Sequence, residues 1–204
     1  MNIRFSTTEL RDLGAAWVVL GLAFALFIFG PGALASSGGL LILGLSMLTA
    51  GVGFLLHELA HKVVAINYGQ VAEFRADYRM LFVGLMAAFA GFLFAAPGAV
   101  YHRGYLNPRE QGLIALAGPI ANIVLLAVFV PLWVLGTGLV ELAGLLGVDI
   151  NLLLAAFNMI PCGPLDGTTV LGWSKVVWAA FFVPTVAAAV FILFPGLVSL
   201  VPGL

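Results

Sequence analysis

The 204 residues are 63% apolar, with 25 glycines, eight basic and nine acidic side chains, and a formal charge of −1. Charged residues make up 8% of the chain, against about 25% in soluble domains, too few to cover a water-exposed surface. The charge balance leaves no basic stripe for nucleic acid, the apolar content excludes disorder, and the single cysteine, Cys162, excludes an intramolecular disulfide framework.

What remains is an integral membrane protein embedded in a lipid bilayer. A helix needs about 20 mostly apolar residues to cross a hydrocarbon core of roughly 30 Å. In chain order the first such run is 13–30. Arg4, Glu9, Arg11 and Asp12 precede it, and its length and lack of a small-residue cleavage site predict a retained span rather than a signal peptide. The second span covers 40–67 and is interrupted by His57. Residues 70–78 alternate in part, which predicts either an ordinary solvated hairpin arm or an edge strand that pairs with an extended chain. The stretch 80–101 has 22 residues without a charge, but Gly84, Gly91, Pro97 and Gly98 weaken a helix there. A re-entrant or β-hairpin segment over 70–101 is therefore predicted, with a sixth crossing as the alternative. Spans at 110–135, 149–165 and 176–195 follow. The expected fold is an all-α polytopic membrane protein of five to six transmembrane helices, forming one domain over 1–204 without a PDZ insertion.

Alternate crossing from a cytoplasmic N-terminus places Arg4, Arg11, Lys62, Arg75, Arg79, Arg103, Arg109 and Lys175 all on the inner side, as basic residues prefer. The outer loops, 31–39 and 136–149, then hold only Glu141 and Asp149.

The second span contains His57-Glu58-Leu59-Ala60-His61. Residues four apart share a helix face, so both imidazoles can converge on one metal ion. Glu58 lies close enough to take a proton from an attacking water without binding the ion itself. Polar groups inside a span are costly and are functional candidates by default. Catalytic zinc takes three protein ligands and keeps one open position. His102, Glu73, Asp77, Glu141, Asp149 and Asp166 are candidates for the third. Depth favours Asp166: His57 lies about 26 Å below Leu40 and Asp166 about 24 Å below Ile150, at 1.5 Å per residue. The alternative for Asp166 is the N-cap of the segment that follows it.

His57-Glu58-x-x-His61 together with Asn158-x-x-Pro161-x-x-x-Leu165-Asp166-Gly167 resembles the two motifs of the site-2 protease family, intramembrane zinc metalloproteases. Gly118-Pro-Ile-Ala-Asn122 resembles the family's Gly-x-x-x-Asn element. The resemblance covers about residues 40–175. It implies that His57, His61 and Asp166 bind one zinc ion and that Glu58 is the general base. It implies a membrane-spanning protein substrate cut within or near its transmembrane segment. The chain is expected in a prokaryotic cell membrane, with the active site nearer the cytoplasmic side because the depth count puts His57 and Asp166 a few ångströms short of the inner boundary. The chain departs from the pattern in the missing PDZ domain, in the length of 80–101 and in the unsettled sixth span.

Asn122 and Asn158 are candidate donors to the oxyanion of a tetrahedral intermediate, with an interhelical hydrogen bond as the alternative for Asn122. Trp17, Trp133, Trp173 and Trp178 fit interfacial belts, and Cys162 fits a small apolar filler. Two other functions are open: a prenyl-protein-protease-like membrane zinc peptidase, in which a glutamate completes the metal site, and a degenerate scaffold with a structural metal. The presence of Glu58 argues against the latter.

Overall fold

A computed structural model describes residues 3–92 and 97–193. The chain forms two compact units, Met1–Gly104 and Tyr105–Leu204. Five helices are long and apolar enough to cross a membrane: Thr7–Leu34, Gly39–Asn67, Pro108–Leu135, Leu139–Asn158 and Lys175–Ile192. Residues 93–96 of the uncharged stretch, and 194–195 of the expected fifth span, lie outside the described residues.

In the first unit, α1 (Thr7–Leu34) starts at Ser6, whose hydroxyl oxygen accepts the Glu9 N–H at 3.1 Å. It breaks at Gly30, where φ is 76° and ψ 164° directly before Pro31. Glycine adopts such a φ readily, and proline could not continue the hydrogen-bond ladder. The second crossing comprises α2 (Gly39–Ser46), a π-helical turn (Met47–Gly51) and α3 (Val52–Asn67). At the π turn the Met47 carbonyl accepts the Val52 N–H and also the Trp17 indole N–H, the latter at 3.0 Å. Gly51 is required beside that indole, because a Cβ there would fall 2.3 Å from Trp17 Cδ1.

Beyond α3, β1 (Val71–Ala76) pairs antiparallel with β2 (Gly98–Arg103), with Val71 opposite Arg103 and Ala76 opposite Gly98. Between them runs α4 (Tyr78–Phe89), capped by Asp77, which accepts the N–H groups of Arg79 and Met80 at 3.0 and 3.1 Å. Its 12 residues reach about 18 Å, short of a crossing. The 70–101 segment is thus a hairpin enclosing a short apolar helix, and among the described residues there is no sixth spanning helix.

The start of α1 is anchored on this hairpin. Glu9 accepts the Phe74 N–H at 3.1 Å, and Asp12 accepts the Ala76 N–H at 3.3 Å and the Tyr78 hydroxyl at 2.7 Å. Phe74 packs edge-on against Phe54 of α3 with Ala16, Leu20 and Leu81 around it. Glu9 and Asp12, expected as flanks of the first span, are therefore buried. The unmatched edge of β1, expected to receive an extended chain, is closed at Phe74 and Ala76 by these two carboxylates.

The Ser6 hydroxyl donates to Glu73, and this bond, aided by Arg75 at 2.7 Å, holds the Glu73 carboxyl below its ordinary value of 4.5 against the opposing effect of desolvation. A carboxyl lowered on folding stabilises above its unfolded pKa and loses that stabilisation as pH falls through the folded one. Stability should therefore decline more steeply between about pH 5 and 3 than in the Glu73→Gln variant, as acid titration of thermal unfolding would show. The difference should be modest, since Glu73 is 34% exposed and screened by solvent.

In the second unit, α5 (Pro108–Leu135) opens with a reciprocal capping box between Asn107 and Glu110. It packs against α6 (Leu139–Asn158). The fourth span therefore begins ten residues before the expected 149–165 and ends before the Pro161-Cys162-Gly163-Pro164 loop. Glu141 and Asp149, expected in an outer loop, lie inside α6. Glu141 sits in its first turn, where a negative charge complements the helix dipole. Asp149 interrupts an otherwise apolar run, which displaced the span boundary read from hydropathy. The depth agreement between His57 and Asp166, counted from Ile150, loses its starting point with that boundary.

Glycines permit the close contact of α5 and α6. A Cβ on Gly144 would fall 2.1 Å from the Trp133 backbone nitrogen, and one on Gly147 would fall 2.1 Å from the Phe129 ring. Gly144→Ala should destabilise the protein by about 1–3 kcal/mol, because a backbone atom cannot rotate aside. Thermal unfolding in detergent should show the loss, with Gly14→Ala, where nothing lies within 4 Å, as the control. After α6 come α7 (Asp166–Trp173) and α8 (Lys175–Leu193). Trp178 packs with Met159, Val170 and Ala115, and its indole donates to the Met159 carbonyl at 2.9 Å. Trp17 and Trp178 are thus hydrogen-bonded packing groups rather than free belt residues, since an indole N–H in hydrocarbon needs an acceptor.

Candidate metal centre

The metal-ligand candidates on α3 arise from helix periodicity alone. His57 and His61, one turn apart, turn their rings toward each other, with centroids 4.6 Å apart and their Nε2 atoms 3.0 Å apart. Two imidazoles bound tetrahedrally at 2.0–2.1 Å would hold their nitrogens about 3.3 Å apart. The observed approach therefore fits a shared ion with little adjustment. His57, Glu58 and His61 are 5%, 8% and 7% exposed, so all three polar groups sit in a low-dielectric interior. Glu58 is placed by the same helix, one residue on from His57.

Lys62, next to His61, was expected at the inner membrane face. It is instead buried, its Nζ donating to Glu9 at 2.6 Å and to the Arg4 carbonyl at 2.7 Å, 4.0 Å from the Phe5 ring centroid. This ion pair ties the metal-ligand helix to α1, and through Glu9 to β1.

In the second unit, the loop after α6 turns at Gly163, where φ is 57°, and leads to Asp166, the first residue of α7. The N-cap of α7 is Leu165 rather than Asp166, so the N-cap alternative for Asp166 does not hold. Gly167 explains the Asp-Gly pair: a Cβ there would fall 2.1 Å from the Met159 carbonyl oxygen, where α7 closes on the end of α6. Asp166 is half-buried. Among the other third-ligand candidates, Glu73 accepts from Ser6 and pairs with Arg75, and Asp77 caps α4. His102 lies on β2 opposite Ala72.

Asn122 is fully buried and donates to Asn151 of α6 at 2.9 Å, while Asn151 donates to the Gly147 carbonyl at 2.8 Å. Asn158 donates to the Leu154 carbonyl at 3.0 Å. Asn122 therefore makes the interhelical bond that stood as its alternative. Cys162 is exposed rather than a buried filler. Sequence reasoning missed Asn151 and the Glu9–Lys62 pair. Asn151 carries a detectable signal, an amide within the apolar fourth span.

A relative from Methanocaldococcus jannaschii that carries a zinc metalloprotease name is 38% identical over 195 residues, covering 94% of this chain and 97% of that one. A similarly named Bacillus subtilis protein is 31% identical over 146 residues, 61% of this chain and 66% of its own length. One from Synechocystis is 35% identical over 150 residues, 70% of this chain but 34% of its own length. No family model matches the chain, and no solved structure does. On identity that runs almost end to end through the first of these relatives, this multi-pass membrane protein belongs to the zinc metalloprotease family they represent.

Proposed function

We propose that the chain is an intramembrane zinc endopeptidase of the site-2 type, with His57, His61 and Asp166 as the ligands of one zinc ion and Glu58 as the general base. The observation that carries this reading is the facing pair of imidazole nitrogens 3.0 Å apart on a buried turn that also bears Glu58. That turn belongs to a 29-residue helix apolar enough to cross a membrane. The relatives' names support zinc and proteolysis, and the Leu165-Asp166-Gly167 motif supports Asp166 as the third ligand.

Zinc, when bound, lowers the pKa of water and polarises a carbonyl. Glu58 accepts the proton of the attacking water and delivers it to the leaving amine. His57 and His61 keep their nitrogens converged through the stiffness of a single helical turn. A substrate must present its scissile bond in extended form, because a helix buries its own carbonyls in hydrogen bonds. The hairpin offers that substrate the outer edge of β2, the edge of β1 being closed by Glu9 and Asp12. The eight basic residues favour a cytoplasmic N-terminus, which puts the centre nearer the cytoplasmic side.

The test is cleavage of a membrane-spanning substrate by purified protein, with zinc content measured in parallel. Chelation should abolish cleavage and added zinc should restore it. His57→Ala, His61→Ala and Asp166→Ala should each lower the bound zinc. Stoichiometric zinc in the Asp166→Ala variant would remove Asp166 from the ligand set, and chelator-resistant cleavage would remove zinc from the mechanism.

A further inference from the structure

The outer edge of β2 is open, and the ladder fixes which residues use it. In an antiparallel pair, successive residues turn their N–H and C=O groups alternately toward the partner strand and away from it. Phe74 and Ala76 give their N–H groups to Glu9 and Asp12, so the residues of β1 that bond to β2 are Val71, Glu73 and Arg75. Their partners in the register are Arg103, Tyr101 and Ala99. The Asp77 N–H, which donates to the Pro97 carbonyl at 2.9 Å, continues the same alternation. The backbone groups that point outward from β2 are therefore those of Val100 and His102, and nothing among the described residues bonds to them.

The side chains of the same two residues turn to the face that packs on α3. Directly opposed residues share a face, Phe74 with Val100 and Ala72 with His102. Ala72 and Phe74 are buried, whereas Val71 and Tyr101 on the other face are exposed. Phe74 meets Phe54 of α3, with Val100 packed against the same cluster. Phe54 stands one turn before His57 and Glu58. His102 is the polar residue of β2 on this face, and its Nδ1 is buried without a hydrogen-bond partner among the described residues. Leaving such an atom unmatched is costly, and a bound chain can supply the missing partner.

A strand added to this edge sets one residue opposite Val100 and another, two positions along, opposite His102. Both side chains turn to the α3 face, and opposed Cβ atoms lie roughly 5 Å apart, within reach of an imidazole. We propose that His102 is a specificity-determining residue, which hydrogen-bonds an amide or hydroxyl side chain of the substrate two positions from an apolar one received by Val100. An amide or hydroxyl can both give and take a hydrogen bond, so it suits either tautomer of the imidazole. In strand addition the main chain supplies affinity and alternate side chains supply selectivity. Such a preference presupposes the endopeptidase reading above, since metal chemistry alone imposes none on the substrate's side chains.

The test uses purified full-length protein with zinc and a membrane-spanning model substrate that carries asparagine or leucine at each position in turn around the cut. Wild-type protein should favour asparagine at one position by about three- to tenfold in kcat/KM, the net worth of a hydrogen bond, and leucine two positions away. His102→Leu should lose the asparagine preference, and His102→Gln should keep most of it, because an amide can still bond. Binding of the same substrates to Glu58→Gln protein, followed by fluorescence anisotropy, should show the same position and the same dependence on His102. An asparagine preference unchanged in His102→Leu would overturn the proposal, as would a profile without any preferred position in the wild type. A uniform loss over all substrates in both His102 variants would assign the residue to the fold and overturn it too. If wild-type protein with bound zinc cuts none of the substrates, the endopeptidase reading fails, and the binding profile alone decides on His102.

Discussion

Glu58→Gln should retain zinc and lose peptide hydrolysis by about a hundred- to ten-thousandfold, the usual contribution of a general base. The substitution changes almost nothing else. Glutamine matches glutamate in volume, and its amide can keep hydrogen bonds in an interior where the side chain is 8% exposed. The neighbouring imidazoles are held by their own helical turn and need no help from position 58. What disappears is the capacity to accept a proton and return it to the leaving amine. Zinc content by atomic emission, measured beside cleavage rate, separates this loss from a collapse of the centre. Wild-type turnover with full zinc would show that the base lies elsewhere.

Lys62→Met should be the most damaging single change to the fold outside the metal ligands. Lys62 and Glu9 have side chains 2% and 1% exposed, and the ammonium has three neighbours: the carboxylate, the Arg4 carbonyl and the Phe5 ring. Removing the cation leaves a buried carboxylate that keeps the Phe74 N–H but no longer has a cation beside it. Breaking one side of a buried pair costs about 3–5 kcal/mol. The double variant Lys62→Met/Glu9→Gln should recover part of this, because it removes the unpaired charge. Thermal unfolding of the two single variants and the double in one detergent completes the cycle. Additive losses would show that the two residues do not act as a pair.

The parts legible in the sequence were those fixed by local spacing. Five spanning runs followed from hydropathy, and the facing histidines from a separation of four residues. The hairpin was foreshadowed by the alternation of 70–78 and by the glycines after 80. What could not be read depends on groups far apart in the chain. Glu9 and Lys62 are 53 positions apart, and each stands beside an apolar run, where a charge ordinarily marks the membrane boundary. Their pairing is a tertiary fact. Asp149 misled for a related reason, since a charge near a span looks like its end unless the helix on both sides is known. Asn122 joins Asn151 across the apolar contact between α5 and α6, a pairing no spacing rule encodes.

The π turn at Met47–Gly51 has a bearing on where the metal ligands point. A turn closed by five-residue hydrogen bonds contains one residue more than an α-helical turn, and each residue advances a helix by about 100°. A helical wheel drawn without interruption from Gly39 would therefore assign His57 and His61 to a direction about a quarter-turn or more from the one they take. The heading of the ligands is set in part by a turn that ends six residues upstream of His57, where the Met47 carbonyl, ten residues before it, is shared with Trp17. A relative lacking that extra residue would have to recover the rotation elsewhere in the span to aim the same motif the same way.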